Sequence, residues 1–318
     1  MSTPSQEFDP TDIHVALLKG GNSKEREVSL SSAEEVGKAL VEVGFTVSEV
    51  DMGRKGSVGE LEASGADVAF ICLHGRGGED GTVQGLCEVL GMPYTGSGVL
   101  SSATAMDKAR SKAVYAQYGL PTPESITLKT GEQYNIGGIY DTIGPRIVVK
   151  PAREGSAIGI IITYTQDELK EAIGKAFALD DTVVLERYIQ GLETTVGVLG
   201  NNELKALPVI EIVPTAGDFY DYEAKYAPGM SEHIIPARIS DENTARCQEL
   251  AIAAHKALGC RGFSRSDFII DENECWLLET NTIPGMTPTS LLPDAAAAIG
   301  ISFTELCTLL IALALDKS

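Results

Sequence analysis

Short apolar runs alternate with longer amphipathic stretches along this chain. Residues 14–18 form an apolar run that opens into Gly20-Gly21. Residues 29–43 then repeat apolar positions at helical spacing, with serines near the start and Gly44 at the end. Further apolar runs cover 45–50 and 68–73, the second leading into His74-Gly75. Strand, glycine loop, helix, strand is the order of a doubly wound α/β domain. A Gly- and Ser-rich break follows at 94–102. Next comes a helix predicted over 109–118, ending at Gly119 and Pro121. Strands at 147–150, 160–164 and 183–188, with a helix over 167–178, make a second, smaller α+β unit. A third unit has strands at 194–199 and 206–212 and a helix over 241–258. It continues with paired strands at 263–270 and 275–280 and two closing helices. The boundaries fall at 1–96, 97–187 and 188–318.

Two segments depart from regular periodicity in ways that bear on function. The stretch 214–236 is long for a loop inside a compact domain, and such loops are usually functional. Its centre, FYDYEAKYAPG, includes Lys225 and Tyr226 and suits either a lid or a disordered linker, although linkers are rarely so aromatic. In GFSRSDFIIDENECWLLETN, two strands are joined by the turn Asp271-Glu272-Asn273. Residues two apart on a strand share a face, so Arg265 goes with Asp267 and Glu279 with Asn281. Folding the hairpin gathers two carboxylates and an amide oxygen beside a guanidinium. Hard oxygen donors of this kind suit magnesium bound through a phosphate. A solvated hairpin edge with a surface ion pair is the plainer alternative.

Composition narrows the partners. A length of 318 residues, 43% of them hydrophobic, allows two or three packed domains. A formal net charge of −20 argues against nucleic acid or an anionic membrane as the main partner, since both call for basic surface. The six cysteines are scattered without Cys-x-x-Cys or paired-His spacing, which points away from zinc and toward reduced, buried thiols in a cytoplasmic protein. MSTPSQEFDPTD at the start lacks an apolar signal core and reads as a frayed tail. No apolar run approaches the ~20 residues of a membrane helix.

Several loops carry candidate chemistry. GGNSKEREVS lies between the first strand and the first helix, where backbone N–H groups are free. Glu25 in it suits a substrate ammonium, or ordinary capping with Ser23. HGRGGEDG follows a strand at the edge where open α/β sheets bind ligands; its glycines allow close approach, and His74 is either functional or structural. It lacks the GxxxxGK[ST] spacing of a P-loop. KPAREGSAIG sets Lys150 at a strand end before a Gly/Ser loop, the form of a flap over phosphates or of a solvated hairpin tip. Lys108, in AMDK, is a second candidate cation. Glu186-Arg187-Tyr188-Ile189 leads through Gly191 to Glu193, a connector able to offer backbone to a purine edge and a carboxylate to a ribose, or merely an acidic linker.

In order, GGNSKEREVSL, HGRGGEDG, MDK, KPAREGSAIG, ERYIQGLE, FYDYEAKY, RSDF and LLETNTIPGMTPTSLLP resemble the motifs of the D-alanine–D-alanine ligase family, which belongs to the ATP-grasp enzymes. They run across nearly the whole chain, from Gly20 to Pro293. The resemblance implies a three-domain ATP-grasp fold with an N-terminal doubly wound α/β domain, the nucleotide lying between the central and C-terminal units. It implies phosphate binding by Lys108 and Lys150, with Ser156 as the flap serine near the γ-phosphate. Glu186, Arg187, Tyr188 and Ile189 would read adenine, Glu193 the ribose, and Lys225 would belong to the lid. Asp267, Glu279 and Asn281 match the ligands of magnesium, or manganese. Glu25 matches the acid that holds the first D-alanine, with His74 nearby and Tyr226 linked to Ser156 and Glu25. Arg265 and the Gly285 N–H would form an oxyanion hole, and Ser290 with Leu291 would take the second substrate's carboxylate. The implied reaction joins two D-alanines with ATP through D-alanyl phosphate for peptidoglycan precursors, in a cytoplasmic homodimer. Ala152 and Ile158 are mild departures in the flap. Two rivals are a sibling ligase that takes D-lactate or D-serine second, and a non-catalytic nucleotide-binding regulator. The complete metal and phosphate set speaks against the regulator.

Overall fold

The computed structural model describes residues 8–214, 231–287 and 289–316. The first sheet is parallel, with order β2-β1-β3, from β1 (His14–Lys19), β2 (Thr46–Asp51) and β3 (Val68–Ile71). Helices α1 (Arg26–Val43), α2 (Ser57–Ser64) and α3 (Thr82–Leu90) accompany it. Helix α1 starts earlier than its pattern predicts because Ser29 lies inside it, buried, its hydroxyl accepting the Gly20 N–H at 2.8 Å. Of the tail expected to fray, residues 1–7 lie outside the described residues, and residues 8–12 are held in place. Asp9 caps a short 3₁₀ turn at Pro10–Asp12, and Phe8 meets Phe45 with ring centroids 5.9 Å apart.

The second sheet is antiparallel, with order β4-β7-β5-β6, from β4 (Ser125–Lys129), β5 (Ile147–Pro151), β6 (Ile161–Thr163) and β7 (Thr182–Arg187). Helices α4 (Val99–Met106) and α5 (Lys108–Gln117) lead into it; α6 (Ile136–Ile143) and α7 (Gln166–Phe177) pack on it. Helices α2, α3, α4 and α6 and strand β4 were not foreseen. The helices hold only eight or nine residues each, and Gly and Ser dilute their apolar period. The Gly/Ser break at 94–102 thus runs into a helix, with Ser101, Ser102 and Ala105 on its buried face.

The third sheet has order β11-β10-β8-β12-β13, with β9 paired to β8. Its strands are β8 (Leu192–Gly200), β9 (Lys205–Ala206), β10 (Ile210–Pro214), β11 (Ser231–Ile234), β12 (Gly262–Ile270) and β13 (Cys275–Asn281). The single strand expected at 206–212 is two. Pro208 has no N–H to give the ladder, and pairing with β8 resumes only at Ile210 opposite Thr195. Helix α8 (Asp241–Leu258) lies against β8, β12 and β13, its N-cap Ser240 accepting from Asn243 N–H. Then come α9 (Leu291–Ala297) and α10 (Phe303–Leu315), the latter opened by a reciprocal Ser302/Glu305 capping box. Helix α10 packs on β12 of its own sheet and also reaches the first unit. Leu306 and Leu310 join Val15, Leu17, Val36 and Leu40 in one core, closing the back of the first sheet.

At the end of α8, His255 is buried, with Nδ1 2.8 Å from the Ser264 hydroxyl of β12. Its Nε2 has no hydrogen-bond partner among the described residues. Burial pushes the imidazole down to about 4, against its ordinary 6.5. The folded state therefore favours neutral His255, a contribution fully present above about pH 6.5 and lost as the pH falls toward 4. The denaturation midpoint is expected to drop across that window in urea titrations. His255→Asn should flatten the slope between pH 6.5 and 4; an unchanged slope would refute the assignment.

Candidate active site

Strands β12 and β13 bring the hairpin residues together through register. Arg265 lies opposite Asn281 and Asp267 opposite Glu279, with a bulge after Asp267. The Arg265 guanidinium forks onto the Asp267 carboxylate, with both N–O distances 2.9 Å. Asp267 also accepts from the Thr195 hydroxyl of β8 at 2.6 Å. The side-chain oxygen of Asn281 accepts the Ile283 N–H at 2.8 Å. The turn is held by Asp271, whose carboxylate accepts from Asn273 N–H, Glu274 N–H and the Trp276 indole.

This hairpin floors a cleft of about 600 Å³. Glu25 and His74 line one wall, from the loops after β1 and β3. Lys108, at the start of α5, lines another. Ser156 reaches in from the β5–β6 loop, and Gly285, Ser290 and Leu291 close the far end beside Arg265, Glu279 and Asn281. The Ser156 hydroxyl donates to the Glu25 carboxylate across the cleft. Glycine at 75 lets that carboxylate lie close; a Cβ there would meet Glu25 Oε2 at 2.6 Å. His74 Nδ1 is 3.4 Å from Glu79, while its buried Nε2 has no hydrogen-bond partner among the described residues. Lys108 Nζ donates to the Glu154 carbonyl at 2.8 Å and lies 3.4 Å from Glu279 Oε2. Ser290 Oγ accepts from Thr287 N–H at 3.0 Å and sits where a Cβ on residue 285 would strike it, at 2.9 Å.

Lys150 and Glu186 do not line this cleft but meet each other at the β5–β7 ladder. Glu186 is buried and takes Lys150 on one carboxylate oxygen and Lys112, at 2.7 Å, on the other. Burial pushes the Glu186 carboxyl up, yet the two lysines outweigh it and hold the group below its ordinary value. Burial likewise holds Lys112 below its ordinary value against the pull of Glu186. Beyond it, Arg187 stacks over Trp276 at 5.1 Å, and Arg146 covers the Tyr188 ring at 3.5 Å. Ile189 is buried and Glu193 lies in β8, both outside the cleft lining. Lys225 and Tyr226 lie outside the described residues.

Sequence reasoning missed Lys112, one helical turn after Lys108 and therefore on the same face, a signal that was available. It also missed Glu79, which pairs with His74, and His233, which lines the cleft and sits 2.7 Å from Asp294. Nothing local marks His233. Among the described residues no group of three or more His, Cys, Asp or Glu could hold a metal ion. Two facing carboxylates and one amide oxygen are a partial hard-oxygen set, which fits magnesium because that ion completes its shell with phosphate oxygens and water.

The sequence profile described as "D-ala D-ala ligase C-terminus" matches residues 114–312, and the one described as "D-ala D-ala ligase N-terminus" matches 58–97. The D-alanine–D-alanine ligase of Syntrophobacter fumaroxidans is 50% identical over 305 residues, covering 96% of this chain and 98% of that one. The chain belongs to the D-alanine–D-alanine ligase family. The relative from Carboxydothermus hydrogenoformans is 47% identical over 311 residues, covering 96% and 99% of the two chains. A crystal structure of the D-alanine–D-alanine ligase from Bacillus anthracis complexed with ATP superposes with a TM-score of 0.84 at 34% identity, covering 95% of this chain and 97% of that one. The fold is accordingly the α/β ATP-grasp fold of the ligase family. No helix among the described residues is long and apolar enough to cross a membrane.

Glu186→Gln in this ligase-family chain strands two buried ammonium groups. Breaking a buried pair on one side is expected to cost about 3 kcal/mol of unfolding free energy, read from urea titration at pH 7. A loss below about 1 kcal/mol, the range of exposed pairs, would show that water screens the cluster.

Proposed function

We propose that this chain joins two D-alanine molecules into D-alanyl-D-alanine at the expense of ATP, for peptidoglycan precursor synthesis, in a site built from the cleft described above and from the β5–β7 ladder that α5 joins to it through Lys108 and Lys112. The observation that carries the reading is Lys108. Its ammonium lies 3.4 Å from the Glu279 carboxylate and 2.8 Å from the Glu154 carbonyl of the β5–β6 loop. A candidate phosphate-binding cation, a candidate metal ligand and the flap thus meet at one point.

A carboxylate is a poor acyl donor, so the first step transfers the γ-phosphoryl group of ATP to a carboxylate oxygen of the first D-alanine. Acyl phosphate and ADP result. Lys108 and Lys150 neutralise phosphate charge, and Ser156 on the flap lies near the transferred group. Magnesium, or manganese, would be held by Asp267, Glu279 and Asn281 and would supply charge neutralisation to the phosphates. Glu25 holds the ammonium of the first D-alanine, with His74 alongside. Glu186 to Ile189 read the adenine and Glu193 the ribose. The amine of the second D-alanine then attacks the acyl carbon. Phosphate leaves as the carbon–oxygen bond breaks, and the nitrogen gives up a proton. Arg265 and the Gly285 N–H stabilise the oxyanion, and Ser290 with Leu291 receive the second carboxylate. Lys225 and Tyr226, outside the described residues, match the family's lid residues, whose part would be to keep water from the acyl phosphate. The units 1–96, 97–187 and 188–318 would supply, in turn, the first-substrate wall, the flap and the metal hairpin. By family resemblance the working form is a cytoplasmic homodimer.

Purified chain with ATP, magnesium and D-alanine alone at neutral pH is expected to release one ADP and one phosphate per D-alanyl-D-alanine, followed by product mass. Glu279→Gln should lower that rate by at least about a hundredfold. Phosphate without dipeptide would point to a different second substrate, such as D-lactate. Silence with every D-amino acid would favour a nucleotide-binding regulator.

A further inference from the structure

The β5–β6 loop holds two L-residues in left-handed backbone, Ser156 at φ 51° and Ala157 at φ 60°. Residues with side chains are strained in that region and persist only where the surroundings hold them. Some of the holding is local. Arg153 N–H donates to Asp180 at 2.8 Å, and the Arg153 guanidinium pairs with Asp180 and Asp181 ahead of β7. The rest comes from elsewhere. Lys108 holds the Glu154 carbonyl. The Glu154 carboxylate is gripped by Arg76 at 3.2 Å and Lys24 at 3.4 Å, which stand on the loops after β3 and β1. Ser156, two residues on, meets Glu25 from the second of those loops.

Glu154 lies outside the lining of the main cleft. It faces an adjoining recess of about 210 Å³ shared with Lys24, Arg76 and Arg153. Its side chain is only 13% exposed, whereas those of Arg76 and Lys24 are 56% and 60% exposed. The carboxylate is therefore covered by two cations that themselves remain in water. A residue so placed touches no reacting atom in the scheme above. Arg76 also stands 4.0 Å from Asp180, the carboxylate on which Arg153 is anchored, so the clasp and the local anchor share one cation.

We propose that Glu154, with Arg76 and Lys24, is a positioning clasp that fastens the flap to the N-terminal wall and so keeps Ser156 on Glu25 while the acyl phosphate exists. The proposal rests on the ligase reading of the site. A flap released from this clasp admits water, which takes the acyl group in place of the second amine. Phosphate is still formed and ATP still consumed, but dipeptide is lost.

The test measures D-alanyl-D-alanine and phosphate together in the full chain with ATP, magnesium and D-alanine. Glu154→Gln, Arg76→Gln and Lys24→Gln are each compared with wild type, and Glu154→Gln is combined with Lys24→Gln, because Lys24, unlike Arg76, does not also approach Asp180. Exposed ion pairs contribute modestly, and two share this carboxylate, so Glu154→Gln is expected to lower the dipeptide-to-phosphate ratio about three- to tenfold. The double variant should be no worse than Glu154→Gln, because both changes break one unit. About 0.5 M salt should pull the wild-type ratio toward that of Glu154→Gln and leave the variant nearly unmoved, since screening acts on the exposed cations. An unchanged ratio in folded Glu154→Gln overturns the clasp. So do losses that add in the double variant, or a fall in kcat with the ratio intact, the mark of a merely structural residue. If Glu154→Gln does not fold, Lys24→Gln and Arg76→Gln decide by the same criteria. A wild-type chain that makes no dipeptide removes the ligase reading and the clasp with it.

Discussion

A charge taken out of water must find a partner, and this requirement organises the cleft more than any other. In a chain of net charge −20, four carboxylates around the site are matched to cations, while Glu25 takes the Ser156 hydroxyl. Asp267 has Arg265, Glu279 has Lys108, Glu186 has Lys112 and Lys150, and Glu154 has Arg76 and Lys24. Even the first turn follows the rule, since Arg26 forks on Asp51 and holds that carboxyl down to about 2. On the proposed reading, a nucleotide phosphate would find ammonium groups already fixed in place by carboxylates. One of those carboxylates, Glu279, would in turn offer oxygen to a divalent cation. Positioning is thus achieved before the ligand arrives, which is where phosphoryl-transfer sites obtain most of their effect.

Backbone geometry does the complementary work. The β12–β13 register sets Asp267 across from Glu279, and β8 on the other side supplies the Thr195 hydroxyl that holds Asp267. Where backbone and carboxylate crowd, glycine is the answer: residue 75 lies where a Cβ would strike Glu25. The flap takes the opposite course, bending two residues with side chains into left-handed backbone and relying on neighbours to keep them there.

How far the chain discloses this in advance depends on the range of each interaction. The hairpin was legible because strand alternation and an Asp-Glu-Asn turn lie within twenty residues of sequence, and helix 241–258 because its period and caps are local. Short helices such as Val99–Met106 escaped, since tertiary burial rather than periodicity makes them. The break at Pro208 was readable from the missing N–H and was overlooked. Lys112 could have been found from its spacing to Lys108. The partners of Glu154 could not, because Lys24 and Arg76 stand far away in sequence and nothing near residue 154 announces them.

The helix Phe303–Leu315 gives the molecule a particular order of assembly. Leu306 and Leu310 fill the space behind Val36 and Leu40, so the hydrophobic interior begun by the first strand is finished by residues emerging from the ribosome some 260 positions after α1. Until they arrive, the wall that carries Glu25 has an open apolar back. The apolar back of the wall that carries Glu25 is thereby closed only once this helix has been made. A truncation that removes this helix strips packing from α1 and β3 near the start of the chain as well as from β12 of the hairpin.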